Sequence, residues 1–162
     1  MARQHYIVPQ GSMPTALTVR LGAGNTTGDN FDEKEVGKFV KLTAESRYDL
    51  CAAGDEIEAV ITSVELATQG GYSIGGVVDE GIMYVTADGL QATPGTGTIA
   101  LGDYVLTGSV TAKGTALPSY AKVVKATTQA NAKATPYAWR VVSLGTAGTG
   151  AVGTTIVVKK VA

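Results

Sequence analysis

The amino-acid sequence predicts an all-β protein, a small antiparallel β-barrel or β-sandwich with an extended N-terminal arm. Two observations carry this. Short runs that alternate polar with apolar residues, rich in Val, Ile and Thr, recur along the chain between Gly, Asn, Asp and Pro clusters. Their spacing, about 8–12 residues from turn to turn, is that of an antiparallel barrel or sandwich. The composition agrees: of 162 residues 21 are Gly, only 6% are aromatic, and much of the 44% hydrophobic fraction is Ala and Val. Such a chain favours sheets and turns over a thick helical core. Its length suits one domain that buries roughly two-thirds of its unfolded surface and needs no staple. The expected organisation is an arm over residues 1–16 and a single β domain over residues 17–162.

In chain order, the arm holds Pro9, Gly11 and Pro14 among polar residues and one apolar cluster, Tyr6-Ile7-Val8, the pattern of an extended segment that docks on a neighbour. Leu17 to Leu21 alternates as a first strand, and Gly22 to Asn30 is a Gly/Asn/Asp loop. Phe31 to Val36 reads as one short helical turn. The stretch from Val36 to Glu65 is the centre of the pattern, with strands over Lys38 to Leu42, Tyr48 to Cys51 and Glu56 to Val64, and Gly54-Asp55 breaking the last two. Phe39 and Lys41 share one face, Val40 and Leu42 the other. Neither face is purely polar, which favours a curled or two-layer sheet. Gln69-Gly70-Gly71 marks a hairpin, and Tyr72 to Val78 returns with Gly75-Gly76 inside it, a sign of a bulge or close backbone approach.

Asp79-Glu80-Gly81 turns the chain into a strand over Ile82 to Thr86, and Ala87 to Thr98 is a turn-rich loop. Leu101-Gly102-Asp103-Tyr104-Val105-Leu106 then echoes Val36-Gly37-Lys38-Phe39-Val40-Lys41, two related β motifs, each entering its strand from a Gly turn, without the regularity of a solenoid. Ala121 to Lys125 is a short strand, and Thr127 to Thr135 is a loop or a marginal helix ended by Pro136. Tyr137 to Leu144 and Thr154 to Val161 are the last strands, joined by the Gly-rich Gly145 to Gly153.

Charge and motifs narrow the chemistry. A net charge of −1 with no local basic block argues against nucleic acid or an anionic membrane as the main partner. No apolar run is long enough for a membrane-spanning helix, and MARQHYIVPQG lacks the features of a secretory signal, so the chain is expected in the cytosol or in something assembled there. Cys51, the single cysteine, sits in a β pattern and reads as a small buried hydrophobe. The single histidine, His5, lies in the arm, which sets aside Ser-His-Asp and Cys-His catalysis and His-based metal clusters. Gly148-Thr149-Gly150-Ala151-Val152-Gly153 spells GxGxxG but leads into a β-branched run rather than a helix, so it reads as a hairpin loop. Two acidic groups, Asp29, Asp32, Glu33 and Glu35, and Asp55, Glu56 and Glu58, contain enough carboxylates for hydrolysis. Asp29 and Asp32 also suit the start of a helical turn, and Glu56 and Glu58 the solvent side of a strand. The scattered tyrosines and Trp139 read as core and rim packing rather than stacking platforms.

Gly37 to Leu42, Ala53-Gly54-Asp55-Glu56-Ile57, Gly76-Val77-Val78 before Gly81-Ile82, Gly102-Asp103-Tyr104-Val105 and the final Gly-rich hairpin together resemble the capsid decoration, or cement, proteins of tailed bacteriophages. The resemblance implies a β-barrel-like or β-sandwich subunit that assembles as homotrimers or homodimers on the outer face of the phage head and bridges capsomers. It implies no catalysis, with the major capsid protein and the chain itself as partners; no cofactor is expected, and no metal, since the Asp29 to Glu35 cluster lacks the alternating ligands and central Gly of a calcium loop. The virion surface is the expected location, and Tyr6, Ile7, Val8 and Pro9 of the arm are the candidate capsid contacts. The rival readings are a tail or fibre component, a carboxylate-based glycan hydrolase, and a glycan-binding module built on Tyr residues or Trp139.

Overall fold

The computed structural model describes residues 6–7, 16–22, 31–43, 47–65, 73–127 and 139–161. The fold is all-β, and the one helical element among the described residues is a 3₁₀ turn, Glu33–Glu35. β1 (Tyr6–Ile7) is followed by five strands, β2 (Leu17–Leu21), β3 (Phe39–Leu42), β4 (Tyr48–Leu50), β5 (Ala59–Glu65) and β6 (Ser73–Val78). The last five close into a barrel in the order β2-β4-β3-β5-β6. Beyond a three-residue turn, Asp79 to Gly81, come β7 (Ile82–Leu90), β8 (Thr93–Pro94), β9 (Thr98–Ile99), β10 (Tyr104–Thr107), β11 (Lys122–Lys125), β12 (Trp139–Ser143), β13 (Gly150–Ala151) and β14 (Thr155–Lys160). Here the order is β7-β11-β10-β12-β14, and β14 pairs back onto β7, which closes a second ring.

The second barrel repeats the first strand for strand. In each, the first strand pairs parallel with the third and antiparallel with the fifth. The second strand pairs antiparallel with the third and fourth, and the fourth antiparallel with the fifth. Even the bulge recurs: register slips between Ile61 and Ser63 on β5 and between Val141 and Ser143 on β12. Gly37 N–H donates to the Ile61 carbonyl at 2.8 Å and Gly102 N–H to that of Val141 at 2.9 Å. Cys51 N–H bonds the Phe39 carbonyl as Ala126 N–H bonds that of Tyr104, both at 3.0 Å. The echo between Gly37-Lys38-Phe39-Val40 and Gly102-Asp103-Tyr104-Val105 therefore marks equivalent positions. Both glycines sit at positive φ, 88° and 85°, a conformation that any Cβ would strain.

Two features differ from the sequence expectation. The pairing is not wholly antiparallel, because each barrel contains one parallel pair, which a closed five-strand ring with this connectivity requires. The residues from 17 onward also form two barrels, joined through a continuous core. Leu21, Phe31, Val40, Ala59, Ile61 and Val77 fill the first barrel. Val85, Val105, Val123, Trp139, Val141, Ile156 and Val158 fill the second, and they form one cluster with Phe39, Cys51, Ile57, Val60 and Val78 from the outside of the first. Polar bonds cross the same joint. Thr107 exchanges two backbone bonds with Gly54 and Asp55, at 2.8 and 2.9 Å, and the Trp139 indole donates to the Ile57 carbonyl at 3.0 Å.

Several boundaries move for identifiable reasons. β7 runs on through Ala87 to Leu90, where a loop was expected, and β8 folds back on its end. Asp88-Gly89 resembles a turn, but the Asp88 carboxylate is satisfied by Ser109 and Lys122, so the strand accommodates it. β5 begins at Ala59 rather than Glu56, and Glu56 to Glu58 form its lead-in. The Gln69-Gly70-Gly71 hairpin, most of the Gly22 to Asn30 loop and nearly all of Thr127 to Thr135 lie outside the described residues. Close approach at Gly75 is confirmed, since a Cβ there would collide with the Ser63 carbonyl and the Leu21 side chain.

Candidate docking surface

Of the four arm residues expected to touch a partner, Tyr6 and Ile7 form β1, whose backbone pairs antiparallel with β7 at Met83 and Ile82. Val8 and Pro9 lie outside the described residues. The described part of the arm thus lies along the second barrel of its own chain.

The two acidic groups have structural work. Asp32 caps the 3₁₀ turn: its carboxylate accepts from Lys34 N–H at 2.7 Å, and Glu35 Oε2 accepts from Asp32 N–H at 2.8 Å, a reciprocal capping box. Backbone hydrogen bonding from Lys34 holds the Asp32 carboxyl below its usual range. Glu35 is 1% and Lys38 4% exposed, and they pair at 3.3 Å. Glu35 also accepts from Gly114 N–H at 2.6 Å, and Lys38 donates to the Ala112 carbonyl at 2.9 Å. The pair thereby clamps the 108–121 loop of the second barrel onto the first. Asp55 bonds Lys41 at 2.6 Å and caps Ala52 N–H, while Glu58 accepts from Leu42 N–H at 2.7 Å. Asp29 lies outside the described residues. A cleft of about 320 Å³, counting space open to solvent, lies at the barrel joint beside Cys51 and Thr107, and no carboxylate lines it. Burial pushes the Cys51 thiol up to about 12, so it stays protonated at neutral pH.

The GxGxxG segment lies in the connection between the antiparallel strands β12 and β14. β13 pairs with β9, Gly148 and Gly153 turn the chain at positive φ, and β14 follows. Trp139 is 1% exposed, so a glycan platform built on it is ruled out. Among the described residues no group of three His, Cys, Asp or Glu side chains could hold a metal ion, and no helix is long and apolar enough to cross a membrane.

What remains as candidate site is a barrel wall. Register aligns Phe39 with Val60 and Val60 with Val78 across β3, β5 and β6. These side chains point out of the first barrel, yet they are only 5%, 2% and 2% exposed because the second barrel covers them. The equivalent row on the second barrel is Tyr104, Arg140 and Lys159 across β10, β12 and β14, and here Arg140 and Lys159 are exposed. The Arg140 guanidinium lies 6.0 Å from the Tyr104 ring centre and its Nε donates to the Gly102 carbonyl at 3.0 Å. The row beyond it holds Val157 beside Tyr84, which stacks on Tyr120 at 5.6 Å, and the bulged Val142 is 44% exposed. Sequence reading missed this surface. The pairing of Arg140 with Lys159 depends on a register set across the 144–154 loop, and the Gly37/Gly102 echo was the one signal that could have led to it.

Comparison with family models, with curated proteins and with solved structures finds no match.

Proposed function

We propose that this chain is a non-enzymatic structural protein that binds the outer surface of a phage head and cements its lattice, with the major capsid protein and further copies of itself, as homotrimer or homodimer, as partners. The observation that carries this reading is the repeated wall. The fold docks one copy of the wall within the chain and, among the described residues, leaves Arg140 and Lys159 of the second exposed, as a lattice adaptor needs. The closed barrels leave few free strand edges for uncontrolled pairing, and weak contacts repeated over a shell sum to stable binding. The cadence shared with decoration proteins, including Gly37 and Gly102, supports the same reading.

Quantitative mass spectrometry of purified particles from the source lysate tests it. Copies comparable in number to the major shell protein are expected. A handful per particle would assign the chain to a tail or fibre, and absence from particles would overturn the structural reading.

A further inference from the structure

We infer that the outer wall formed by β10, β12 and β14 is a docking face for an acidic, partly apolar segment of a partner protein, with Arg140 and Lys159 as its anchoring cations. This rests on the structural-binding reading above and names the surface and the chemistry it accepts.

Three observations converge. Arg140 and Lys159 stand directly opposite each other on neighbouring antiparallel strands, an arrangement that costs stability when both are charged. Among the described residues neither has a carboxylate partner: the Arg140 contacts are the Gly102 carbonyl and the Tyr104 ring, and Lys159 has no ion pair. By contrast, three lysines on other barrel strands are matched to carboxylates, Lys41 to Asp55, Lys122 to Asp88 and Lys125 to Asp103. A carboxylate supplied from outside would bridge both cations and remove the repulsion.

The second observation is the covered twin of this wall. Phe39, Val60 and Val78 occupy the same three positions on the first barrel and are buried beneath the second. The fold therefore already uses this wall for docking, with apolar residues where the occupant is permanent. Replacing that apolar row by Tyr, Arg and Lys gives the composition of a surface that must stay soluble when empty. Tyr and Arg are also the residues that concentrate binding energy in reversible interfaces.

Third, the charged row is flanked by apolar groups, Ile82 opposite Lys159 and Val157 opposite Tyr84 on the same outer face. An occupant that alternates acidic with apolar side chains matches both rows. A phosphate backbone would satisfy the cations and leave the apolar row uncovered, and the net charge of −1 gives it little long-range attraction.

The test titrates the full ¹⁵N-labelled chain with a soluble synthetic peptide of alternating leucine and glutamate, and follows amide shifts. Shifts clustering at Tyr104, Arg140, Val157 and Lys159 are expected, with at least tenfold weaker binding in Lys159→Glu and near-normal binding in Lys159→Arg. Lys159→Glu places an acid opposite Arg140 and, among the described residues, breaks no ion pair, so its melting temperature should equal or exceed that of the wild type. Lys159→Gln repeats the test should the reversal fold poorly. Shifts elsewhere, or equal binding by Lys159→Glu, would overturn the docking face. Cosedimentation with purified phage shells stripped of this protein separates the two readings. If the wild type binds the peptide at this wall but ignores shells, the cementing function fails and the docking face stands. If Lys159→Glu cosediments as well as wild type, this wall is not the shell contact. Self-association abolished by Lys159→Glu, without peptide binding, would make a second copy the occupant and overturn the partner assigned here.

Discussion

At the scale of single residues, Asp88 shows how the fold retains a charge that its sequence context would assign to a turn. It is buried on β7, and its carboxylate accepts from Ser109 N–H at 2.8 Å, from the Ser109 hydroxyl at 2.5 Å and from Lys122 at 3.1 Å. Burial pushes the carboxyl up, but the hydrogen bonds from Ser109 and Lys122 outweigh it and hold the group below its ordinary value. A carboxylate with a depressed folded-state pKa stabilises fully above its unfolded value, about 3.9, and loses that contribution as pH falls through the folded value. Asp88→Asn should therefore cost about 1.5–3 kcal/mol at neutral pH, the range for hydrogen bonds to a charged group. It should also flatten the stability profile below about pH 4. Urea titrations at a series of pH values measure both. An unchanged acid limb would show that other carboxylates set it.

At the scale of elements, the clamp between the barrels is the 3₁₀ turn and the residue that leads into β3, which present Glu35 and Lys38 to the 108–121 loop. Both are almost fully buried, so removing one leaves the other without its counter-charge, held only by backbone hydrogen bonds. Lys38→Met should cost about 3–5 kcal/mol, and a double-mutant cycle with Glu35→Gln should return a coupling of about 0.5–3 kcal/mol. A Lys38→Met penalty below one kcal/mol would mean that water reaches the pair. Neither residue was separable from a solvated turn in the sequence, because burial comes from a loop more than 70 positions away. The strands with one face inside a barrel were legible. Leu17–Leu21 matches β2 to the residue, and β3, β4, β10 and β11 fall within two or three residues of their expected ends, since alternation records which face is wet. What alternation does not record is the long-range pairing. The parallel pairs β2–β4 and β7–β11, the two-residue strands β8, β9 and β13, and the opposition of Arg140 to Lys159 all depend on contacts without a local pattern. The split into two barrels was present only as the Gly37/Gly102 echo.

At the scale of the whole molecule, the question is whether two barrels of one design behave as one folding unit. The first has its own core, which by itself would allow independent melting. The second does not. Trp139 and its neighbours share one apolar cluster with Phe39, Ile57, Val60 and Val78 of the first barrel, so unfolding either barrel uncovers residues of the other. A single cooperative transition follows. Trp139 is the only tryptophan, and its indole N–H is bonded across the joint, so its fluorescence reports on the joint while far-UV circular dichroism reports on all strands. The two signals should coincide in denaturant. Ile57→Ala, which hollows the joint without touching either barrel's hydrogen-bonded ring, should lower the common midpoint by the equivalent of about 2–5 kcal/mol. If the joint were only a contact between autonomous domains, the same variant would shift the fluorescence transition and leave a second, unshifted transition in circular dichroism. Coincidence in both proteins would mean that the wall of the second barrel carrying Arg140 and Lys159 is held on a rigid two-barrel body, so a load applied at that wall passes through Trp139 and Ile57 into the first barrel.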